Sequence, residues 1–138
     1  MSDKLFGSRI AGGNSAAGRR AWDFYQTPPE ATLALLNFLG IPKGATVWEC
    51  ACGNGEMSRT IEAAGYDVIS SDIENHGFGQ GGIDFITYCQ ESRFDWIITN
   101  PPFSLSEQFI RRAWGYKRPF AFLLKSQLWH AARRTALF

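Results

Sequence analysis

Short apolar runs alternate with amphipathic stretches from Pro28 onward, and this alternation narrows the possible folds more than anything else in the chain. Thr46-Val47-Trp48-Glu49, Tyr66 to Ser71, Phe94 to Thr99 and Phe120 to Leu124 read as strands, whereas residues 28–39, 56–64 and 104–114 carry helical periodicity. Thr27 with Glu30, and Ser104 with Glu107, have capping-box spacing at two helix starts, and Gly40 and Gly65 stand at two helix ends. Gly82-Ile83-Asp84-Phe85 is a less regular strand or turn, and a final amphipathic turn is expected from Leu128. Helices between strands act as crossover connections. The fold class is therefore α/β, an open and mostly parallel sheet with helices on both faces. The run Phe120–Leu124 is apolar throughout, which predicts a strand buried on both faces.

With 138 residues and 45% hydrophobic content, the chain can bury the core of one domain. Residues 1–20, rich in Gly, Ser, Ala and Asn, are expected to form a flexible basic arm ahead of an ordered domain over 21–138. No apolar stretch approaches the ~20 residues of a membrane span, and the Met1 end lacks the apolar centre of a signal peptide, so a soluble, cytoplasmic protein is expected. Cys50, Cys52 and Cys89 form no disulfide framework. With only His76 and His130 elsewhere they lack metal-ligand spacing, so no metal is expected. Trp22, Trp48, Trp96, Trp114 and Trp129 are read as packing residues.

Charge is segregated along the chain. Residues 28–107 hold three Lys/Arg against eleven Asp/Glu, whereas residues 111–138 hold seven Lys/Arg and no acid. The acidic middle suits a cationic small ligand. The basic end, including Arg111, Arg112, Arg133 and Arg134, suits a phosphate backbone.

Within the acidic middle, Glu49-Cys50-Ala51-Cys52-Gly53-Asn54-Gly55 joins a strand to a helix start through small residues. Gly53 and Gly55 let a ligand approach the backbone, and the positive end of the helix faces it. Asp72, closing the next strand, is placed to accept hydrogen bonds from ribose hydroxyls. Asp84 can accept one from an adenine amino group, with Phe85 or Ile73 packing on the ring. Ser58 stands where a dinucleotide fingerprint has its third glycine, which disfavours a pyrophosphate cradle. Glu49 at the strand tip would repel phosphate and attract an ammonium or sulfonium.

Asn100-Pro101-Pro102-Phe103 follows the run ending at Thr99. An exocyclic amine on a base is a weak nucleophile because its lone pair is delocalised into the ring. Hydrogen bonds from that amine to the Asn100 side-chain oxygen and the Pro101 carbonyl favour a pyramidal nitrogen and free the lone pair. Phe103 can stack on the ring.

Taken in order, Phe24-Tyr25-Gln26-Thr27-Pro28-Pro29, the Glu49–Gly55 turn, Ser71-Asp72-Ile73, Gly82-Ile83-Asp84-Phe85 and Asn100-Pro101-Pro102-Phe103 resemble the motifs of the phage and prophage type of S-adenosylmethionine-dependent DNA N6-adenine methyltransferases. The resemblance covers roughly residues 21–138. It implies a Rossmann-like methyltransferase fold, S-adenosyl-L-methionine as cofactor, and double-stranded DNA carrying a target adenine as partner. It also implies a bacterial host cell as the setting. By the same resemblance Tyr25, Thr27, Glu49, Cys50, Gly53, Gly55, Asp72, Ile73, Asp84 and Phe85 hold the cofactor, and Asn100, Pro101, Pro102 and Phe103 receive the flipped base. Cys50 stands where many members carry proline. That change is expected to be tolerated, because the contact is made mainly by backbone.

Direct transfer to nitrogen needs no covalent intermediate, so neither Cys50 nor Cys52 is required as a nucleophile. Two other readings share these residues. Asn-Pro-Pro-aromatic motifs also occur in enzymes that methylate RNA bases or protein glutamine amides, and a catalytically silent nucleic-acid-binding module would keep the same fold. The resembling family continues with further strands past the position of Phe138, so a fragment or reduced form lacking the last strands is expected. Recognition sequence and oligomeric state are left open.

Overall fold

The computed structural model describes residues 27–124. The expected arm over 1–20, Tyr25, the turn from Leu128, Arg133 and Arg134 lie outside the described residues. Among the described residues the elements run α1 (Pro29–Leu39), β1 (Thr46–Glu49), α2 (Glu56–Ala63), β2 (Asp67–Ser70), β3 (Trp96–Thr99), a 3-10 turn (Phe103–Leu105), α3 (Ser106–Gly115) and β4 (Phe120–Phe122). The strands form one sheet in the order β2-β1-β3-β4. Every pairing is parallel, with Val47 beside Val68 and Trp96, and Ile97 beside Phe120.

Alternation along β1 and β3 explains why two helical layers are needed. Val47 and Ile98 join Leu36, Ile41, Met57, Ile61 and Tyr66 in one apolar cluster under α1 and α2. On the other face, Trp48 and Ile97 join Phe85, Phe94, Phe109 and Ala113 under α3. Central parallel strands bury both faces, so both must be apolar. Trp48 is fully enclosed, with ring centroids of Phe85, Phe94 and Tyr116 at 5.2, 5.4 and 5.5 Å. Its indole N–H donates to the Ser71 hydroxyl at 2.9 Å, which removes the cost of burying that polar edge. Truncating Trp48 to Ala would therefore cost about 3–5 kcal/mol.

Several local expectations change. α1 opens from Pro28 in an extended conformation, with no side-chain cap; the Thr27 hydroxyl is used elsewhere. α3 begins at Ser106 behind the 3-10 turn, so its N-cap position is Leu105 and not Ser104. Pro29 explains the first shift, because it bars the helical region to Pro28 and so moves the N-cap position from Thr27 to Pro28. Residues 82–84 are irregular and lead into a turn at 85–87. The second strand's ladder extends only by an isolated bridge between Ser71 and Gln80. β4 is three residues long and half-buried, shorter and more open than its composition suggests. Trp114 is 67% exposed, because α3 turns that side away from the sheet.

Among the described residues no helix is long and apolar enough to cross a membrane.

Candidate active site at the carboxyl edge of the sheet

β2 lies on one side of β1 and β3 on the other, so the chain reverses its direction of winding between β1 and β3. Loops leaving the two strands at such a switch point diverge and open a crevice at their carboxyl ends. The loop after β1 carries Gly53 and Gly55; the loop after β3 carries Asn100. Both predicted halves of the site thus share one sheet edge.

Gly53 and Gly55 have φ of 55° and 97°, in the left-handed region that glycine enters without a steric cost. Gly55 also initiates α2 directly. A Cβ at Gly55 would lie 2.7 Å from the Phe78 ring, so this glycine admits a side chain from residues 74–82. Arg59 stacks on the other part of that arrangement, its guanidinium 4.9 Å from the Phe78 ring centroid while it donates to the Asn54 carbonyl at 2.8 Å. Phe78 was invisible to motif reasoning. Its one signal is its place in the glycine-rich stretch between Asp72 and Ile83.

Asp72 is nearly buried and anchors the bend. Its Oδ2 accepts from the Gly53 backbone N–H at 2.9 Å and its Oδ1 from the Glu74 N–H at 2.9 Å, with His76 Nε2 at 3.6 Å. A carboxylate offers about four acceptor positions, so two N–H donors orient it without exhausting it.

Glu49 differs from its expected role. It is 1% exposed, and its carboxylate accepts from the Thr99 hydroxyl and, at 3.4 Å, from the Ala51 N–H. It is not an open counter-charge at the strand tip. Burial pushes its carboxyl from 4.5 up to about 7, against the hydrogen bonds from Thr99 and Ala51. Thr99 was not among the residues picked out from sequence; its signal is a hydroxyl on an otherwise apolar, buried strand.

Phe85 is also reassigned. It is 2% exposed and packs at 4.8 Å from Phe109, so its ring belongs to the core and not to a ligand platform. Ile73, 58% exposed, presents the apolar surface next to Asp72. Asp84 accepts from the Ile86 N–H at 3.0 Å, a turn that fixes its carboxylate. Cys50 and Cys52 are buried; burial raises the first thiol well above its usual range and the second to about 12. Neither is a thiolate near neutrality.

Asn100 is half-buried, and its Nδ2 donates to the Thr27 hydroxyl at 2.8 Å. Pro101 is buried, whereas Pro102 and Phe103 are partly open. Arg112, read as a phosphate contact, instead donates to the Tyr88 carbonyl at 2.6 Å and lies 5.2 Å from the Tyr116 ring centroid. Arg111 pairs with Glu107 at 3.3 Å. Arg112 alone is drawn inward, where it satisfies the segment that α3 covers, whereas the Arg111 side chain is 66% exposed. An open groove of about 330 Å³ between α1 and α2, lined by Leu33, Arg59 and Ala63, includes none of the strand-tip residues. Among the described residues no group of three His, Cys, Asp or Glu stands close enough to hold a metal ion.

Comparison with known proteins gives a consistent fold. No protein-family model matches the chain. The chain is 29% identical over 98 residues to the Type II methyltransferase M.TthHB8I of Thermus thermophilus, covering 64% of this chain. It spans only 23% of that relative's length. Among solved structures it superposes on a putative RNA methyltransferase, PH1948 of Pyrococcus horikoshii, with a TM-score of 0.60 and 22% identity, covering 77% of this chain and 63% of that one. TrmN of Thermus thermophilus gives 0.56 at 18% identity, covering 72% and 39%. The fold is the Rossmann-like fold of S-adenosylmethionine-dependent methyltransferases, with a short four-stranded sheet among the described residues.

Proposed function

We propose that this chain is the catalytic core of an S-adenosylmethionine-dependent methyltransferase acting on the N6 amino group of adenine in DNA. The observation that carries the reading is the junction of two loops at one switch point. The glycine bend and Asn100 leave adjacent parallel strands whose tips are tied by the Thr99–Glu49 hydrogen bond.

The residues at this edge fit the cofactor. Left-handed Gly53 and Gly55 add no side chain of their own to the bend, over which the Phe78 ring packs at Gly55; Asp72 is held ready for ribose hydroxyls, and exposed Ile73 offers an apolar face to adenine. When bound, S-adenosylmethionine supplies a methyl group on a positively charged sulfur, which leaves as a neutral thioether when the carbon–nitrogen bond forms. The chain's own task is orientation, which in favourable intramolecular cases is worth up to ~7–11 kcal/mol. Asn100 Oδ1 and the Pro101 carbonyl accept from the target amine and favour the pyramidal nitrogen. Phe103 stacks on the base, and the Pro101-Pro102 pair stiffens the loop between them. The amine proton becomes acidic only after methyl arrival and passes to solvent, so no strong base is required. In duplex DNA the base must first leave the stack, at a few kcal/mol.

The similarity to a Type II methyltransferase and the order of the motifs support DNA. The putative RNA methyltransferase sharing this fold favours an RNA base as the second reading. The test incubates the chain with methyl-labelled cofactor and, separately, DNA, RNA and protein, followed by digestion and mass spectrometry. N6-methyladenine in the DNA sample is the expected product. Label only in RNA or in glutamine would replace the substrate, and label nowhere would leave the silent binding module.

A further inference from the structure

Thr27 and Asn100 lie 73 positions apart, yet share a hydrogen bond of 2.8 Å. Each immediately precedes a proline, Pro28 or Pro101, whose ring excludes the helical region for the residue before it. The bond therefore joins two backbone positions that are stiff for the same reason. Thr27 is 7% exposed, and a second proline, Pro29, opens α1 behind it, so the hydroxyl is held in place from the helix side.

We propose that Thr27 is a positioning residue for Asn100, its hydroxyl holding the carboxamide nitrogen and thereby directing the carboxamide oxygen to the amine. The argument is one of polarity. A carboxamide presents donors on one arm and an acceptor on the other, and turning it over exchanges them. An amine substrate is assisted only by the acceptor arm; the donor arm would meet the amine hydrogens head on. With Nδ2 held by the Thr27 hydroxyl, as it is here, the acceptor arm lies on the side away from Thr27 before substrate arrives. This deepens the proposed function, and rests on it for the identity of Asn100 as acceptor. It differs from the cofactor-holding role that resemblance alone assigns to Thr27.

The test compares Thr27→Val, which keeps the shape and removes the hydroxyl, with Thr27→Ser, which restores it, and Thr27→Ala as a second deletion should the valine variant fold poorly. In uniformly ¹⁵N-labelled protein without cofactor, the Asn100 side-chain amide signal, assigned by its loss in Asn100→Asp, should move in Thr27→Val and return in Thr27→Ser. In the methyl-transfer assay kcat should fall on the order of 10²-fold in Thr27→Val, the scale set by misplacing a catalytic group by about 1 Å, with cofactor Kd within about twofold of the parent. Thr27→Ser should recover most of kcat. An unmoved Asn100 signal overturns the proposal. So does a rise in cofactor Kd with kcat preserved, which would return Thr27 to cofactor binding. If the parent chain methylates no substrate, the proposed function fails, and the amide signal alone decides whether Thr27 orients Asn100.

Discussion

The Thr99 hydroxyl donates to the buried Glu49 carboxylate, joining the carboxyl tips of β3 and β1. The loop that bends at Gly53 and the loop that carries Asn100 are thereby anchored to one buried polar contact. Buried charge is expensive unless hydrogen-bonded, so the contact is sensitive to anything that changes either partner.

Glu49 makes folding stability depend on pH in an unusual direction. Its carboxyl is raised from 4.5 to about 7 in the folded chain. Between these values the folded state keeps a proton that the unfolded state has lost, so stability falls as pH rises through this window and levels off above it. The full effect is at most about 3 kcal/mol. Glu49→Gln should flatten the curve of urea midpoint against pH over the same window. An unchanged slope in the variant would assign the effect to other groups.

Asp72→Ala removes the acceptor that holds the Gly53 N–H. Leaving that donor unpaired should cost about 1–3 kcal/mol in denaturant unfolding, and cofactor affinity should weaken by calorimetry before any change in kcat. Unaltered affinity would disprove the ribose assignment.

Gly55→Ala faces two penalties, a backbone at φ 97° and a Cβ 2.7 Å from the Phe78 ring. The left-handed conformation alone costs an L-residue about 1–2 kcal/mol. In a Phe78→Ala background the steric part should vanish and only the backbone part remain. The double-mutant cycle should therefore show a favourable coupling above about 0.5 kcal/mol. Strict additivity would mean that the ring yields freely.

Asn100→Ala should lower methyl transfer by about 10²–10³-fold, the scale found when one preorganised hydrogen-bonding group is removed, with cofactor affinity near that of the parent. Retained turnover would exclude Asn100 from the reaction.

Arg112→Met should lower stability, because the guanidinium satisfies the Tyr88 carbonyl and packs on Tyr116. The salt dependence of DNA binding should stay the same, since each lost phosphate contact would reduce the slope by about one. A shallower slope would restore Arg112 to the nucleic-acid interface.

The parallel sheet, its helices and the positions of the glycine bend and Asn100 were legible in sequence because they follow from local rules: apolar period, crossover length, and the few residue types that tolerate a tight turn or stop a strand. Pairing between distant residues obeys no such rule. That Thr27 meets Asn100 instead of capping α1, that Phe85 turns into the aromatic core while Ile73 stays open, and that Arg112 serves Tyr88 were decided only when β1 and β3 came together. Chain order says which groups exist at a sheet edge. Which of them are consumed by satisfying buried neighbours depends on three-dimensional packing, since an unpaired polar group inside costs more than a contact to solvent or ligand returns.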